Sequence, residues 1–133
     1  MPWRPGAREL IAGLKEAGVP LALVTMSWRE LVDRVMPALP SGTFSTIVCG
    51  DEVGHGKPHP EPYQTACAIL EVDPATAIVI EDSPTGVASG LAAGCRVVGV
   101  PFQVPIPQVD GLVVTSTLSE LTPTSLRALA FGK

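Results

Sequence analysis

Two adjacent carboxylates, Glu81 and Asp82, end the apolar run Ala77-Ile78-Val79-Ile80 and lead into Ser83-Pro84-Thr85-Gly86. A buried parallel strand reads this way, and the carboxyl ends of such strands are where open α/β sheets hold their ligands. Paired acids at that point suit a hard cation such as Mg²⁺. Two further side chains carry complementary chemistry. Thr25 closes the run Leu21-Ala22-Leu23-Val24 and offers a hydroxyl; Lys57 lies in a Gly-Pro loop and offers an ammonium. A hydroxyl donor and a compact positive charge suit a phosphoryl group. A cation held by the acids would offset both their mutual repulsion and the charge of the phosphate.

Each of these residues also has a purely structural reading. Thr25 is β-branched and fits a strand for that reason alone. A lysine in a Gly-Pro loop is ordinarily solvated. Asp82 suits the N-cap of the helix that follows. Glu81 is harder to dismiss, because an acid abutting Ile78–Ile80 is costly to bury unless it is paired. His55 and His59 straddle Gly56-Lys57-Pro58, so they do not share a helix face, and no metal role is expected of them. Trp3 and Trp28 read as packing residues, with no spacing that suggests a platform for stacked bases.

The elements needed to position these groups alternate along the chain. A helix opens at Pro5-Gly6, presents Leu10, Ile11, Leu14 and Ala17, and stops at Gly18. The strand Leu21–Thr25 follows, then a helix capped by Ser27 with Leu31, Val32, Val35 and Met36 facing inward. Pro37, Pro40, Ser41 and Gly42 mark a loop before the strand Thr46–Cys49. A long loop from Glu52 to Pro60 precedes a helix that turns Tyr63, Ala66, Cys67 and Leu70 inward and breaks at Asp73-Pro74. Next come the strand Ala77–Ile80, a small-residue helix over Gly86–Ala93, the strand Arg96–Val100 and a short strand Leu112–Thr115. Leu118–Leu121 reads as a helical turn and Pro123–Phe131 as a terminal helix. Strand and helix in alternation predict a parallel sheet with right-handed crossovers, in a single domain over residues 1–133.

Composition narrows the function. A chain of 133 residues with 46% hydrophobic residues is sufficient for one core. The net charge is −4 and the nine basic residues are scattered, so neither nucleic acid nor an anionic membrane is an expected partner. No apolar run approaches the roughly 20 residues that span a bilayer. Cys49, Cys67 and Cys95 are odd in number, far apart and set in apolar segments, which predicts reduced buried thiols and a cytoplasmic protein.

Taken together, Leu21–Thr25, then Gly56-Lys57-Pro58-His59-Pro60-Glu61-Pro62-Tyr63, then Ile80-Glu81-Asp82-Ser83-Pro84-Thr85-Gly86 resemble the haloacid dehalogenase-like (HAD) hydrolases, in particular the phosphatases and sugar-phosphate mutases close to β-phosphoglucomutase. The turn Gly50-Asp51-Glu52-Val53 and the step Ala93-Gly94 match as well. The resemblance covers nearly the whole chain. It implies a three-layer, Rossmann-like parallel sheet. It assigns Thr25 to hydrogen-bond the transferring phosphoryl group, with Met26 and Ser27 offering backbone amides or a hydroxyl. Lys57 would stabilise nucleophile and phosphate, and Glu81 and Asp82 would serve Mg²⁺, Asp82 more directly.

One part of the family pattern has no counterpart. The family's first motif is Asp-x-Asp on the first strand, where the first Asp takes the phosphoryl group as an aspartyl-phosphate and the second is the general acid/base. Met1–Gly6 aligns after the family's cap domain, so the nucleophile strand and the helical cap are absent from these residues. The chain therefore reads as the C-terminal part of a HAD core, without turnover by itself. In the family the absent strand lies between Leu21–Thr25 and Ala77–Ile80. Its removal leaves two open strand edges. One of three outcomes is expected: the two strands pair directly, a neighbouring chain fills the space, or the absent segment occupies it.

The leading expectation is a Mg²⁺-dependent phosphate-monoester hydrolase acting on a small phosphorylated metabolite. A phosphosugar mutase is the alternative within the family. A non-catalytic phosphate-binding or self-associating module is the alternative outside it. A phospho-acceptor receiver domain is excluded by order, since here the hydroxyl and lysine precede the acids. A dehalogenase reading is weaker, because an acidic pair argues for a metal that carbon–halogen displacement does not require.

Overall fold

The computed structural model describes residues 6–38, 42–101, 105–119 and 121–131, and for residues 38, 129 and 130 the backbone alone. The expectations for Trp3, Pro5, Pro40 and Ser41 lie outside the described residues.

Among the described residues there are five helices and five strands, with short 3₁₀ turns between some of them: α1 (Ala7–Glu16), β1 (Ala22–Val24), α2 (Arg29–Val35), β2 (Thr46–Val48), α3 (Glu61–Leu70), β3 (Ile78–Glu81), α4 (Pro84–Ala92), β4 (Arg96–Gly99), β5 (Leu112–Val114) and α5 (Pro123–Phe131). Every strand pair is parallel. β1 pairs with β2 in the register Ala22–Thr46 to Val24–Val48. β3, β4 and β5 form a second ladder, with Ile78 opposite Arg96 and Val97 opposite Leu112. Period-two alternation divides the core between two faces of this ladder. Val79, Val97 and Leu112 pack with Tyr63, Cys67 and Val87 on the α3/α4 side. Val98 packs with Leu10, Leu118 and Leu126 on the α1/α5 side, where Ile78, Ile80 and Val113 join it. Helices thus cover both faces, as in a doubly wound fold.

The two ladders do not join. Among the described residues, no backbone hydrogen bond links β1 to β3. Between them lies an apolar cavity of about 420 Å³, whose lining includes Leu14, Leu23, Val24, Ile78, Ile80 and Tyr63. Of the three alternatives, direct pairing of these two strands therefore does not occur among the described residues. The helical layers explain why: α3 packs on β1 and β2 and also on α4, which itself packs on β3 and β4. Each strand is held by its own helix contacts, and closing the sheet would require the layers to slide.

Local chemistry departs from expectation at several positions, beginning with Ala17, which is exposed at the end of α1. Ser27 does not cap α2; the N-cap is Trp28, and Asp51 Oδ1 accepts from the Arg29 N–H at 3.0 Å instead. Leu31 is exposed rather than inward, with Val32 carrying the buried contact of that helix. α3 ends at Glu71, which adopts a left-handed conformation (φ 59°). Asp73 caps the following 3₁₀ turn, accepting from Ala75 N at 2.9 Å.

Candidate active site at the carboxyl edge of the sheet

The parallel ladder continues one residue past β1, because Thr25 N–H donates to Val48 O at 2.9 Å. The chain then turns sharply. Ser27 N–H donates to Thr25 Oγ1 at 3.1 Å, which leaves the Thr25 hydroxyl hydrogen for another acceptor. Gly50 N–H donates to Ser27 O at 3.0 Å and ties the turn to the end of β2. No larger residue fits at Gly50: a Cβ there would overlap the backbone of Met26. Arg29 braces the same turn by two bonds to Glu52, at 2.9 and 3.1 Å, and one to Ile47 O at 2.8 Å. Arg29 and then the Cys49 N–H hold Glu52 below the usual carboxylate range.

Lys57 reaches this edge from the loop after β2. Its N–H points at Met26 Sδ, 3.4 Å away, and its ammonium donates to Val24 O at 3.1 Å. The same ammonium forms an ion pair with Glu81 Oε2, and the Tyr63 hydroxyl donates to that oxygen. The Lys57 and Glu81 side chains are 12% and 7% exposed, so the pair is shielded from water. Burial, and then the negative Glu81, push the Tyr63 phenol far above its ordinary range and keep it a donor. Lys57 Nζ also lies 5.1 Å from the Tyr63 ring centroid. One ammonium thus spans the open space, touching the last residue of β1 on one side and the last of β3 on the other.

Asp82 follows Glu81 and is exposed, and among the described residues no hydrogen bond or ion pair engages it. It is not the helix cap: Ser83 has that role, accepting from Gly86 N at 3.2 Å, with Pro84 opening α4. Gly86 lies directly over the Glu81 carboxylate, which a Cβ there would overlap.

Thr25, Met26, Ser27, Lys57, Glu81 and Asp82 therefore share one edge, as their spacing implies. The two acids differ in state. Glu81 is buried and engaged by Lys57 and Tyr63, whereas the Asp82 carboxylate is free to take a ligand. Sequence reasoning read Tyr63 only as a core residue and did not identify it as the second donor to Glu81. The one available signal was a phenol among inward-facing residues, since a buried hydroxyl needs a partner. Sequence reasoning also separated His55 from His59, yet their rings stack with centroids 4.5 Å apart beside Glu61.

The haloacid dehalogenase-like hydrolase profile matches residues 2–100, and the chain belongs to that family. Hexitol phosphatase A of Escherichia coli is 34% identical over 123 residues, covering 90% of this chain and 56% of the relative. Protein CbbY of Rhodobacter capsulatus is 43% identical over 103 residues, covering 74% and 45%. Among solved structures, CbbY from Rhodobacter sphaeroides in complex with phosphate superposes with a TM-score of 0.80 at 31% identity, over 92% of this chain and 58% of that one. A putative β-phosphoglucomutase from Thermotoga maritima gives 0.75 at 30%, over 87% and 56%. The chain thus spans roughly half the length of these relatives.

Proposed function

We propose that this edge binds the phosphoryl group of a small phosphorylated metabolite, as the C-terminal part of a Mg²⁺-dependent phosphate-monoester hydrolase. The observation that supports it most is the Lys57 ammonium, fixed between Val24 O and Glu81, one residue from the Thr25 hydroxyl and one from Asp82. In this reading the Thr25 hydroxyl, the Met26 amide and the Ser27 hydroxyl donate to phosphate oxygens, and Lys57 neutralises charge. Glu81 holds the ammonium in place and Tyr63 holds Glu81. Mg²⁺ commonly takes one or two carboxylates together with phosphate oxygens and water, which suits the unengaged Asp82. Glu81, already bonded to Lys57 and Tyr63, is then the counter-charge rather than a direct ligand. The metal, when bound, would draw charge from the phosphate.

No described carboxylate stands within the space between β1 and β3 to accept the phosphoryl group, so the 133 residues by themselves are expected to bind phosphate without turning over a monoester. Hydrolase rather than mutase is preferred because a relative similar over 90% of this chain is named as a hexitol phosphatase. The open edges of β1 and β3 favour one second reading, a module that associates by adding a strand. The unpaired buried thiols of Cys49, Cys67 and Cys95 suit the reducing cytoplasm we assign, and among the described residues no helix is long and apolar enough to cross a membrane.

The test is isothermal titration of the chain with inorganic phosphate in the presence and absence of Mg²⁺, alongside p-nitrophenyl phosphate turnover. Saturable binding that strengthens with Mg²⁺ and is weakened about tenfold or more by Thr25→Ala or Asp82→Asn is expected, with no turnover. Binding indifferent to both substitutions would remove the site assignment; sustained turnover lost in Asp82→Asn would remove the claim that a nucleophile is lacking.

A further inference from the structure

The loop that carries Lys57 also gathers three donor groups on its outer side. Glu61 opens α3 and turns its carboxylate back over the loop. Its Oε2 accepts from Gly54 N at 2.6 Å, and its Oε1 lies 3.0 Å from His55 Nδ1. His59 Nδ1 accepts from Glu61 N at 3.1 Å. The His55 and His59 rings stack at 4.5 Å with their planes 21° apart. One donor atom from each of His55, His59 and Glu61 lies within 4.8 Å of the others. We propose that these three residues bind a borderline-soft divalent transition metal, of which Zn²⁺ is the type.

Donor type selects the metal. Two imidazoles and one carboxylate suit zinc and its neighbours, whereas Mg²⁺ prefers oxygen alone. Spacing agrees: donor atoms bound to one zinc at about 2.0–2.2 Å stand roughly 3–3.5 Å apart, the His55–Glu61 pair already stands at 3.0 Å, and the His59 donor atom lies within 4.8 Å of both. A metal bound here would replace the 3.0 Å contact between His55 Nδ1 and Glu61 Oε1, with any proton on that nitrogen passing to solvent. Backbone restraint keeps the donors together without a metal: Pro58 and Pro60 flank His59, and each fixes its own φ. Three protein ligands leave at least one position open to water or to an anion. The site is separate from the Asp82 edge and does not depend on the phosphatase reading. It lies on the loop between β2 and α3, so its occupancy ties the Lys57 loop to the start of α3.

The 133-residue chain is titrated with Zn²⁺ by calorimetry and with Co²⁺ by visible absorption near neutral pH. One metal per chain is expected, with cobalt bands free of any sulfur-to-metal charge-transfer feature. His55→Ala and His59→Ala each lower the affinity about tenfold or more, while Asp82→Asn leaves it unchanged. All three substitutions are at exposed positions, so circular dichroism is expected to stay native-like. Affinity unaffected by both histidine substitutions, a sulfur-to-cobalt band, or loss of binding in Asp82→Asn would each overturn the site.

Discussion

Replacing Lys57 with methionine removes the ammonium and keeps most of its aliphatic stem. The substitution abolishes the ion pair with Glu81, whose partners are 12% and 7% exposed, and the 3.1 Å bond to Val24 O. A solvated pair would contribute under about 1 kcal/mol. A buried pair behaves differently, because removing one member strands the other charge at a cost of about 3–5 kcal/mol. Tyr63 still donates to Glu81, which places the expected loss near the lower end, about 3 kcal/mol. Small domains are stable by about 5–15 kcal/mol, so the variant is weakened severely but not necessarily unfolded. With a urea m-value of about 2 kcal/mol/M, the midpoint followed by circular dichroism should fall by about 1.5 M. Lys57→Met combined with Glu81→Gln should recover most of that fall, since no charge is then left without a partner and the amide oxygen still accepts from the Tyr63 hydroxyl. A midpoint shift below about 0.5 M for Lys57→Met alone would mean that water already solvates the pair, and the fixed ammonium on which the site depends would be lost with it.

Gly86→Ala should destabilise by about 1–3 kcal/mol in the same assay, because the new methyl overlaps the pinned Glu81 carboxylate. Gly13→Ala, inside α1 with only an ordinary 3.6 Å contact to Pro123, should instead stabilise by roughly 0.5–1 kcal/mol; equal effects at the two glycines would contradict the packing described. Glu52, lowered chiefly by Arg29, and Glu61, lowered chiefly by His55, contribute stability that is complete above the unfolded carboxylate pKa and fades as pH falls through the folded values. The urea midpoint should therefore decline as pH drops below the ordinary value of 4.5, and less steeply in a Glu52→Gln, Glu61→Gln double variant; parallel curves would count against both interactions. Hydrogen exchange should be slowest in β4, which has a strand on each side, and faster in β1, which borders the open cavity. Protection in β1 equal to that in β4 would show that something closes the sheet.

Most of the fold was legible in the residues. Apolar β-branched runs bounded by Gly, Pro and Asp located all five strands, with their ends within a residue or two, and Pro123–Phe131 appears with the predicted bounds. These are local signals: period, breaker and propensity act within a few residues and survive whatever the rest of the chain does. Caps were less legible. Ser27 has a good capping side chain, but Asp51 from a distant loop supplies the acceptor, and Ser83 takes the helix-capping role that Asp82 also suited. Leu31 has the period of an inward residue, yet among the described residues its side chain stays exposed.

Sequence by itself determined which groups reach the carboxyl edge, because parallel strands joined by crossovers put Thr25, Lys57, Glu81 and Asp82 at the same end wherever the helices pack. Tertiary structure alone decided what each group does there. Glu81 and Asp82 are neighbours with the same functional group, but alternation along β3 turns one under Gly86 toward Tyr63 and Lys57 and leaves the other in solvent. The open space between β1 and β3, and the meeting of His55 with His59 across a proline-bound loop, likewise depend on contacts between residues far apart in the chain, which no local pattern encodes.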